Sequence, residues 1–295
     1  MKPFASFIIL TWNSEKYIQA CLRSIPKSIL PYEYEIIVID NGSSDDSINV
    51  IKSSSLEITL IQNTKNKGVA FARNQGIRIS KGEYLIILDI DTILNSGSIS
   101  ELIYFMEMNH EIGLCAPQLV SEKGEIHESG RKFPTLYSKL CRRINLKFAE
   151  KYSNQNFYHL NKVNTHIEID YAVGACQVIR KTTINKIGLL DENIFYGAED
   201  IDFCLRLWFN GWKIIYYPYV NILHFEQRLT KKHFFSKLTF EHLRGLIYFF
   251  VKHKYFMNKE NLYDKISMAN YQNASNNTFV NNPSRAIYFE AQYLK

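Results

Sequence analysis

Cysteine is scarce here and lacks a pairing pattern. The five residues Cys21, Cys115, Cys141, Cys176 and Cys204 are odd in number and form no C-x-x-C pair. This excludes a disulfide framework and a structural zinc site of the usual spacing, and it fits buried free thiols in a reducing compartment. Long apolar runs are also lacking. No stretch reaches the ~18 apolar residues of a membrane span, and the longest candidate, residues 246–251, is bracketed by Arg244 and Lys252. The N-terminus has only a short apolar run, residues 7–10, before polar residues follow. That run reads as a first buried strand rather than a secretory signal. No internal repeat is present.

What remains is an ordinary globular composition. At 46% hydrophobic and 22% charged over 295 residues, the chain suits one large α/β domain or one domain with an appendage. Net charge is +6, with much of the excess in residues 123–151 and 228–254. Basic charge clustered beside aromatics fits an anionic membrane surface better than a nucleic acid. No nucleic-acid-binding motif is found, so none is expected among the partners.

The first ~120 residues alternate short β runs with helical stretches, as a parallel sheet flanked by helices requires. Strands are predicted over residues 4–10, 35–39, 56–61 and 84–88, and helices over 14–24, 44–53 and 69–79, with Ser14 as N-cap of the first. Residues 122–165 are polar and basic and carry no clear pattern. Regular structure resumes at 167–180, followed by a helix over 199–210 and a strand over 213–217. A basic, aromatic helix is predicted over 231–253. The tail beyond Asn258 is rich in Asn and Ser and reads as partly mobile.

Polar residues gather at the predicted strand ends, where open α/β sheets bind ligands. Thr11, Trp12 and Asn13 follow the first strand, and Asp40, Asn41 and Gly42 the second. Asn66 and Gly68 follow the third, and Asp89 and Asp91 the fourth. Four such ends point to one cleft. Asp89-Ile90-Asp91 is a D-x-D triplet, and two carboxylates at a strand end can hold a hard divalent cation that binds a diphosphate. Asp40 can form an Asx-turn with the following serines, or accept a hydrogen bond from a uracil or thymine N–H. Trp12 either stacks on that base or packs at the sheet edge. Arg73, one turn into the third helix, pairs with phosphate oxygens or forms a surface ion pair.

Glu199-Asp200-Ile201-Asp202 opens a helix, where the macrodipole favours acids. Asp202 and Arg206 are four apart and so placed to pair. Glu199 and Asp200 are thus left as candidates for a general base. His224 is either a packed histidine or a third metal ligand beside the D-x-D pair. In the C-terminal stretch, Phe235, Leu238, His242, Leu246, Phe249 and Phe250 recur at helical spacing. That stripe packs on the domain or contacts a membrane surface.

In this order the segments SFIILTWN (6–13), EIIVIDNGSSDDS (35–47), NKGVAFARNQGI (66–77), YLIILDID (84–91) and GAEDIDFCLRLWFNGWKI (197–214), with the His224 region, resemble the family 2 glycosyltransferases of GT-A fold. Nearest is the rhamnosyltransferase-like subgroup of cell-surface polysaccharide enzymes. The resemblance covers roughly residues 4–250. It implies an α/β, GT-A, Rossmann-like, mostly parallel sheet flanked by helices, with a C-terminal helical extension. The catalytic domain would span 1–228, with a nucleotide-binding half (1–120) and an acceptor-binding half (121–228). A basic aromatic helix (229–257) and a tail (258–295) would follow.

The resemblance also implies site roles. Trp12 packs on the base, and Thr11 and Asp40 line the nucleoside pocket. Asn66 and Gly68 belong to the nucleotide-sugar site, and Arg73 faces the diphosphate. Asp89 approaches ribose and metal, Asp91 is the main ligand of Mg²⁺ or Mn²⁺, and His224 completes the metal site. Asp200 is the preferred base, with Glu199 positioning the acceptor. The implied activity is inverting transfer from a dTDP- or UDP-sugar to a glycan, lipid-linked through polyprenyl diphosphate, on the cytoplasmic face of a membrane. One position departs from the subgroup: many of its members have Asn where this chain has Asp89, which strengthens the metal case and weakens any inference of donor identity. Two other classes were weighed. A nucleotidyltransferase normally places a Gly-rich, basic loop after strand one, where this chain has Thr11-Trp12-Asn13-Ser14. A non-catalytic nucleotide-sugar-binding protein would not need the Glu199-Asp200 pair.

Overall fold

A computed structural model describes residues 2–135, 158–225, 237–255 and 259–276. The N-terminal half is a run of βα units. β1 (Ala5–Thr11), β2 (Tyr34–Asp40), β3 (Ile58–Gln62) and β4 (Tyr84–Asp89) alternate with α1 (Glu15–Ile29), α2 (Ser47–Lys52) and α3 (Val69–Ile79). Phe7, Ile8 and Ile9 of β1 and Ile37, Val38 and Ile39 of β2 have no exposed surface. Runs apolar on both faces demand cover on both sides, which is why these strands sit inside a parallel sheet.

Among the described residues the main sheet has ten strands. Eight form a path in the order β3-β2-β1-β4-β11-β6-β12-β5, with β7 (Ile126–His127) on β6 and β9 (Ile167–Glu168) on β12. The first four strands run parallel, whereas β11 (Cys176–Arg180) is antiparallel to both β4 and β6 (Ile112–Val120). β12 (Lys213–His224) runs parallel to β6 and antiparallel to β5 (Thr92–Ile93). β8 (Gly130–Arg131) and β10 (Tyr171–Ala172) make a separate small ladder. α4 (Ser98–Met108), α5 (Lys181–Ile187) and α6 (Glu199–Phe209) complete the layers, and α7 (Lys237–His253) and α8 (Lys259–Asn276) extend them. This is the mostly parallel α/β architecture implied by the sequence.

Several boundaries differ from expectation. α1 runs through Pro26 to Ile29 because Ile18, Cys21, Leu22, Ile25 and Ile29 maintain one buried face. Packing outweighs the local cost of proline there. Ser14 precedes α1 but does not cap it with its side chain; its hydroxyl donates to the Trp12 carbonyl. The strand predicted over 213–217 continues to His224, past a register shift between Tyr217 and Asn221. The Asn- and Ser-rich tail is a helix over Lys259–Asn276, which buries Leu262 and Ile266. Cys21, Cys115, Cys176 and Cys204 are free and buried. Cys141, the start of the predicted C-terminal helix at 231–236 and residues 277–295 lie outside the described residues.

α7 packs on the α/β domain. Leu246, Phe249 and Phe250 are buried, and Gly245 lies against Ile194, Tyr196 and Ala198. Of the stripe that either packs on the domain or contacts a membrane, Leu246, Phe249 and Phe250 face inward, Leu238 and His242 are half-buried, and Phe235 falls outside the described residues. The helix is also tied by charge. Fully buried Asp202 accepts from Arg206 Nε at 2.8 Å and from Lys252 Nζ at 2.6 Å, and its Oδ1 lies 2.8 Å from His253 Nε2. These partners hold its carboxyl well below the usual carboxylate range against the opposing effect of burial.

Candidate active site

Strand register assembles the cleft. Thr11 pairs with Asp40 across β1 and β2, and Leu10 with Asp89 across β1 and β4. The three polar strand ends thus share one edge of the sheet. Asp40 has no exposed surface. Its Oδ2 accepts from the backbone N–H groups of Gly42 and Ser43 at 3.2 and 3.1 Å, so the Asx-turn is real. Its Oδ1 and the Thr11 hydroxyl are both buried without a hydrogen-bond partner in the protein. A buried acceptor left open in this way is costly unless a ligand satisfies it. Trp12, 40% exposed, stands at the rim.

Asn66 and Gly68 build the neighbouring turn. Asn66 Oδ1 accepts from Asn41 Nδ2 at 3.0 Å and from the Gly68 N–H at 2.9 Å. Gly68 has φ +90°, and a Cβ there would lie 2.8 Å from the Phe195 carbonyl oxygen. Only glycine admits both the left-handed backbone and that approach. The Val69 N–H then donates to the same carbonyl at 2.8 Å. Asn41, absent from the predicted site set, is the hub: it also donates to the Gly68 carbonyl and accepts from Asn63 and the Lys67 N–H. Its signal was its place directly after Asp40.

The metal-competent end of the cleft combines distant parts of the chain. His224 pairs with Thr92 across β12 and β5, and the Phe225 N–H donates to the Asp91 carbonyl at 3.0 Å. His224 Nε2 therefore lies 3.6 Å from Asp91 Oδ1. Asp89, Asp91 and His224 each offer a ligand atom within 4.8 Å of the others. Two carboxylates and an imidazole suit Mn²⁺, and Mg²⁺ through the carboxylates, so these residues fit the implied ion. His127, a position the sequence did not single out, packs its ring edge-on to His224 at 5.7 Å.

Arg73 is tied into the cleft from both sides. It is 4% exposed, and one guanidinium nitrogen serves both Asp89 Oδ1 at 2.6 Å and the Gly174 carbonyl at 2.7 Å. Its other terminal nitrogen lies 3.9 Å from Glu199. It braces the D-x-D end against the acidic helix start. Burial raises the Asp89 carboxyl above its ordinary value, and Arg73 opposes that shift.

Glu199 and Asp200 occupy the first turn of α6, after Gly197 (φ +83°). They face different surroundings. Glu199 is 5% exposed with Oε2 unpartnered in the protein. Burial first, and the Asp200 charge second, push its carboxyl up from 4.5 to about 7. Asp200 is half-buried and accepts from the Ile201 N–H. Tyr196 lies among these groups: burial raises its phenol, and the charges of Glu199, Asp89 and Asp200 add to the shift. It too was missed by the sequence reading.

The Glu199 shift has a consequence for stability. Between pH 4.5 and about 7 the folded chain holds a proton that the unfolded chain has lost. Stability contributed by this group therefore falls as pH rises through that window. Glu199→Gln is expected to exceed the parent above pH 7 by on the order of 2–3 kcal/mol and to gain nothing below pH 4.5. Denaturant titrations at pH 4.5 and 8 measure this; an equal difference at both would contradict it.

The sheet order and the acidic, metal-competent cleft at its carboxyl edge define a GT-A-type α/β protein. The chain belongs to glycosyl transferase family 2, whose model matches residues 6–188. It is 23% identical over 258 residues to N-acetylglucosaminyl-diphospho-decaprenol L-rhamnosyltransferase of Mycobacterium tuberculosis, covering 83% of this chain and 84% of that protein. It is 25% identical over 234 residues to the uncharacterized glycosyltransferase YfnE of Bacillus subtilis, covering 69% and 60%. A crystal structure of GalNAc-T7 with UDP, GalNAc and Mn²⁺ shares the fold, with a TM-score of 0.58 and 18% identity over 75% of this chain and 44% of that one. The chain thus spans less than two thirds of some of its relatives.

Proposed function

We propose that the chain is an inverting, metal-dependent glycosyltransferase. It moves a hexosyl or deoxyhexosyl group from a UDP- or dTDP-sugar to a glycan, lipid-linked through polyprenyl diphosphate, in cell-surface polysaccharide synthesis at the cytoplasmic face of a membrane. The observation that carries this reading is the Arg73 brace. It joins the Asp89-Asp91-His224 cluster, through Asp89, to the Glu199-Asp200 helix start. Donor and acceptor chemistry therefore meet in one cleft.

Residues 1–120 form the donor half and 121–228 the acceptor half. Asp40 Oδ1 and the Thr11 hydroxyl receive the polar edge of a pyrimidine, and Trp12 covers its face. The Asn66-Gly68 turn shapes the adjoining wall. Asp89, Asp91 and His224 would hold Mg²⁺ or Mn²⁺, which would supply Lewis-acid assistance to a departing nucleoside diphosphate. Asp200 takes the proton from the incoming hydroxyl, and Glu199 fixes that hydroxyl's position. Attack from the face opposite the diphosphate inverts the anomeric carbon. The mycobacterial relative is named for transfer to a decaprenyl-diphosphate-linked sugar, which supports the acceptor class.

The test is transfer from a panel of UDP- and dTDP-sugars to a synthetic polyprenyl-diphosphate N-acetylglucosamine, with the product's anomeric centre read by NMR. A product of configuration opposite to the donor is expected. Retained configuration, or no transfer from any donor, would overturn the proposal.

A further inference from the structure

α7 (Lys237–His253) has a second face, distinct from the apolar stripe packed on the domain. Lys237, Phe240, Arg244, Ile247 and Val251 recur every three or four positions, Lys254 follows at the same spacing just past the helix end, and all are exposed. Phe240, Ile247 and Val251 are 66%, 50% and 58% exposed. Such a row of large apolar side chains on a folded surface calls for a partner. The cations alternate with them: the Arg244 side chain is 69% exposed, with Nη1 3.7 Å from Oε2 of Glu241, whose side chain is only 16% exposed. No acid lies in the outward row.

We infer that this row is a docking surface for an anionic lipid headgroup layer. Long cations interleaved with apolar side chains on one helix face are what an interfacial helix needs: the apolar groups enter the headgroup boundary while the cations meet phosphate. A second copy of this chain fits less well, because a self-complementary contact across a two-fold axis would set these cations against one another. No described helix is long and apolar enough to cross a membrane, so contact here is along the surface.

The inward face of the same helix touches the active site. His242 occupies the space above Gly197, where a Cβ would come within 1.9 Å of its Nδ1. Gly197 lies two residues before Glu199. Docking through the outer row would therefore hold the acidic pair about one helix diameter, ~10 Å, from the lipid surface, within reach of a lipid-linked acceptor. That purpose rests on the proposed function; the docking itself does not, and it is measured without any transfer.

The experiment is sedimentation of the full chain with vesicles of phosphatidylcholine alone or with 30% phosphatidylglycerol. Binding to the anionic vesicles is expected, weakened by 0.5 M NaCl. Phe240→Ser/Ile247→Ser/Val251→Ser should lower the partition coefficient about a hundredfold, and so should Lys237→Gln/Arg244→Gln/Lys254→Gln, at ~1 kcal/mol per group. Both variants should keep the parent's far-UV circular dichroism and thermal midpoint, which shows that the fold is intact. Equal binding of parent and variants, or no binding to anionic vesicles, would overturn the inference. So would a dimer in sedimentation equilibrium that only the parent forms. Failure of the transfer assay with vesicle binding intact would overturn the proposed function and leave the docking surface standing.

Discussion

Asp200→Asn is expected to lower the transfer rate by about a hundred- to ten-thousand-fold while leaving nucleotide affinity within about threefold. The substitution is nearly isosteric, so the first turn of α6 and its hydrogen bond to the Ile201 N–H can persist. What it removes is the capacity to take a proton. Asp200 is half-buried at the helix start. Glu199 is nearly enclosed, and its carboxyl is pushed up to about 7. It therefore carries a proton much of the time near neutrality. Glu199→Gln should accordingly cost far less in kcat, with its effect seen mainly in acceptor KM. The reverse pattern, an active Asp200→Asn and a dead Glu199→Gln, would move the base by one residue. The measurement is steady-state transfer alongside calorimetric nucleotide binding for both variants.

Asp91→Ala is expected to abolish metal-dependent nucleotide affinity. The residual affinity should equal that of the parent in EDTA. Asp91 is 8% exposed and lies at the centre of the cluster, its backbone fixed by Phe225 and its carboxylate beside His224. Loss of one hard oxygen ligand from a three-residue set leaves too few donors for a divalent cation to bind tightly. His224→Ala should weaken the metal dependence less, since Asp89 and Asp91 remain. Asp91→Ala with full manganese-stimulated binding would remove Asp91 from the ligand set.

What was readable in the sequence is what local periodicity writes. β1, β2 and β4 are apolar runs ended by Thr11, Asp40 and Asp89, so the sequence alone lines up their ends in one cleft. The Asp202–Arg206 pair followed from helical spacing alone. Contacts between distant segments were not readable in this way. Nothing near His224 says that β12 pairs with β5, and that pairing alone brings it to Asp91; only family resemblance anticipated it. The partners of Arg73 were not readable, because spacing places a helix residue but not the far end of a long side chain. The carbonyl that captures it, Gly174, is 101 residues away.

The C-terminal helices show a different limit. α7 carries two apolar rows, and composition cannot say which one the domain covers. The row with Leu246, Phe249 and Phe250 was covered, and Phe240, Ile247 and Val251 were left outside. Four asparagines and two serines interrupt α8, yet Leu262 and Ile266 pack inward and Tyr263 donates to Asp170 at 2.5 Å. Tertiary contacts of this kind override weak propensity.

The most direct test of a metal-dependent, nucleotide-sugar-using cleft is calorimetric titration of the purified chain with UDP, dTDP and GDP, each in Mn²⁺ and in EDTA. The account predicts that UDP or dTDP binds in Mn²⁺, that EDTA weakens this binding at least tenfold, and that GDP binds poorly because Asp40 and Thr11 face a pyrimidine. Binding indifferent to metal, or no binding of either pyrimidine diphosphate, would contradict it.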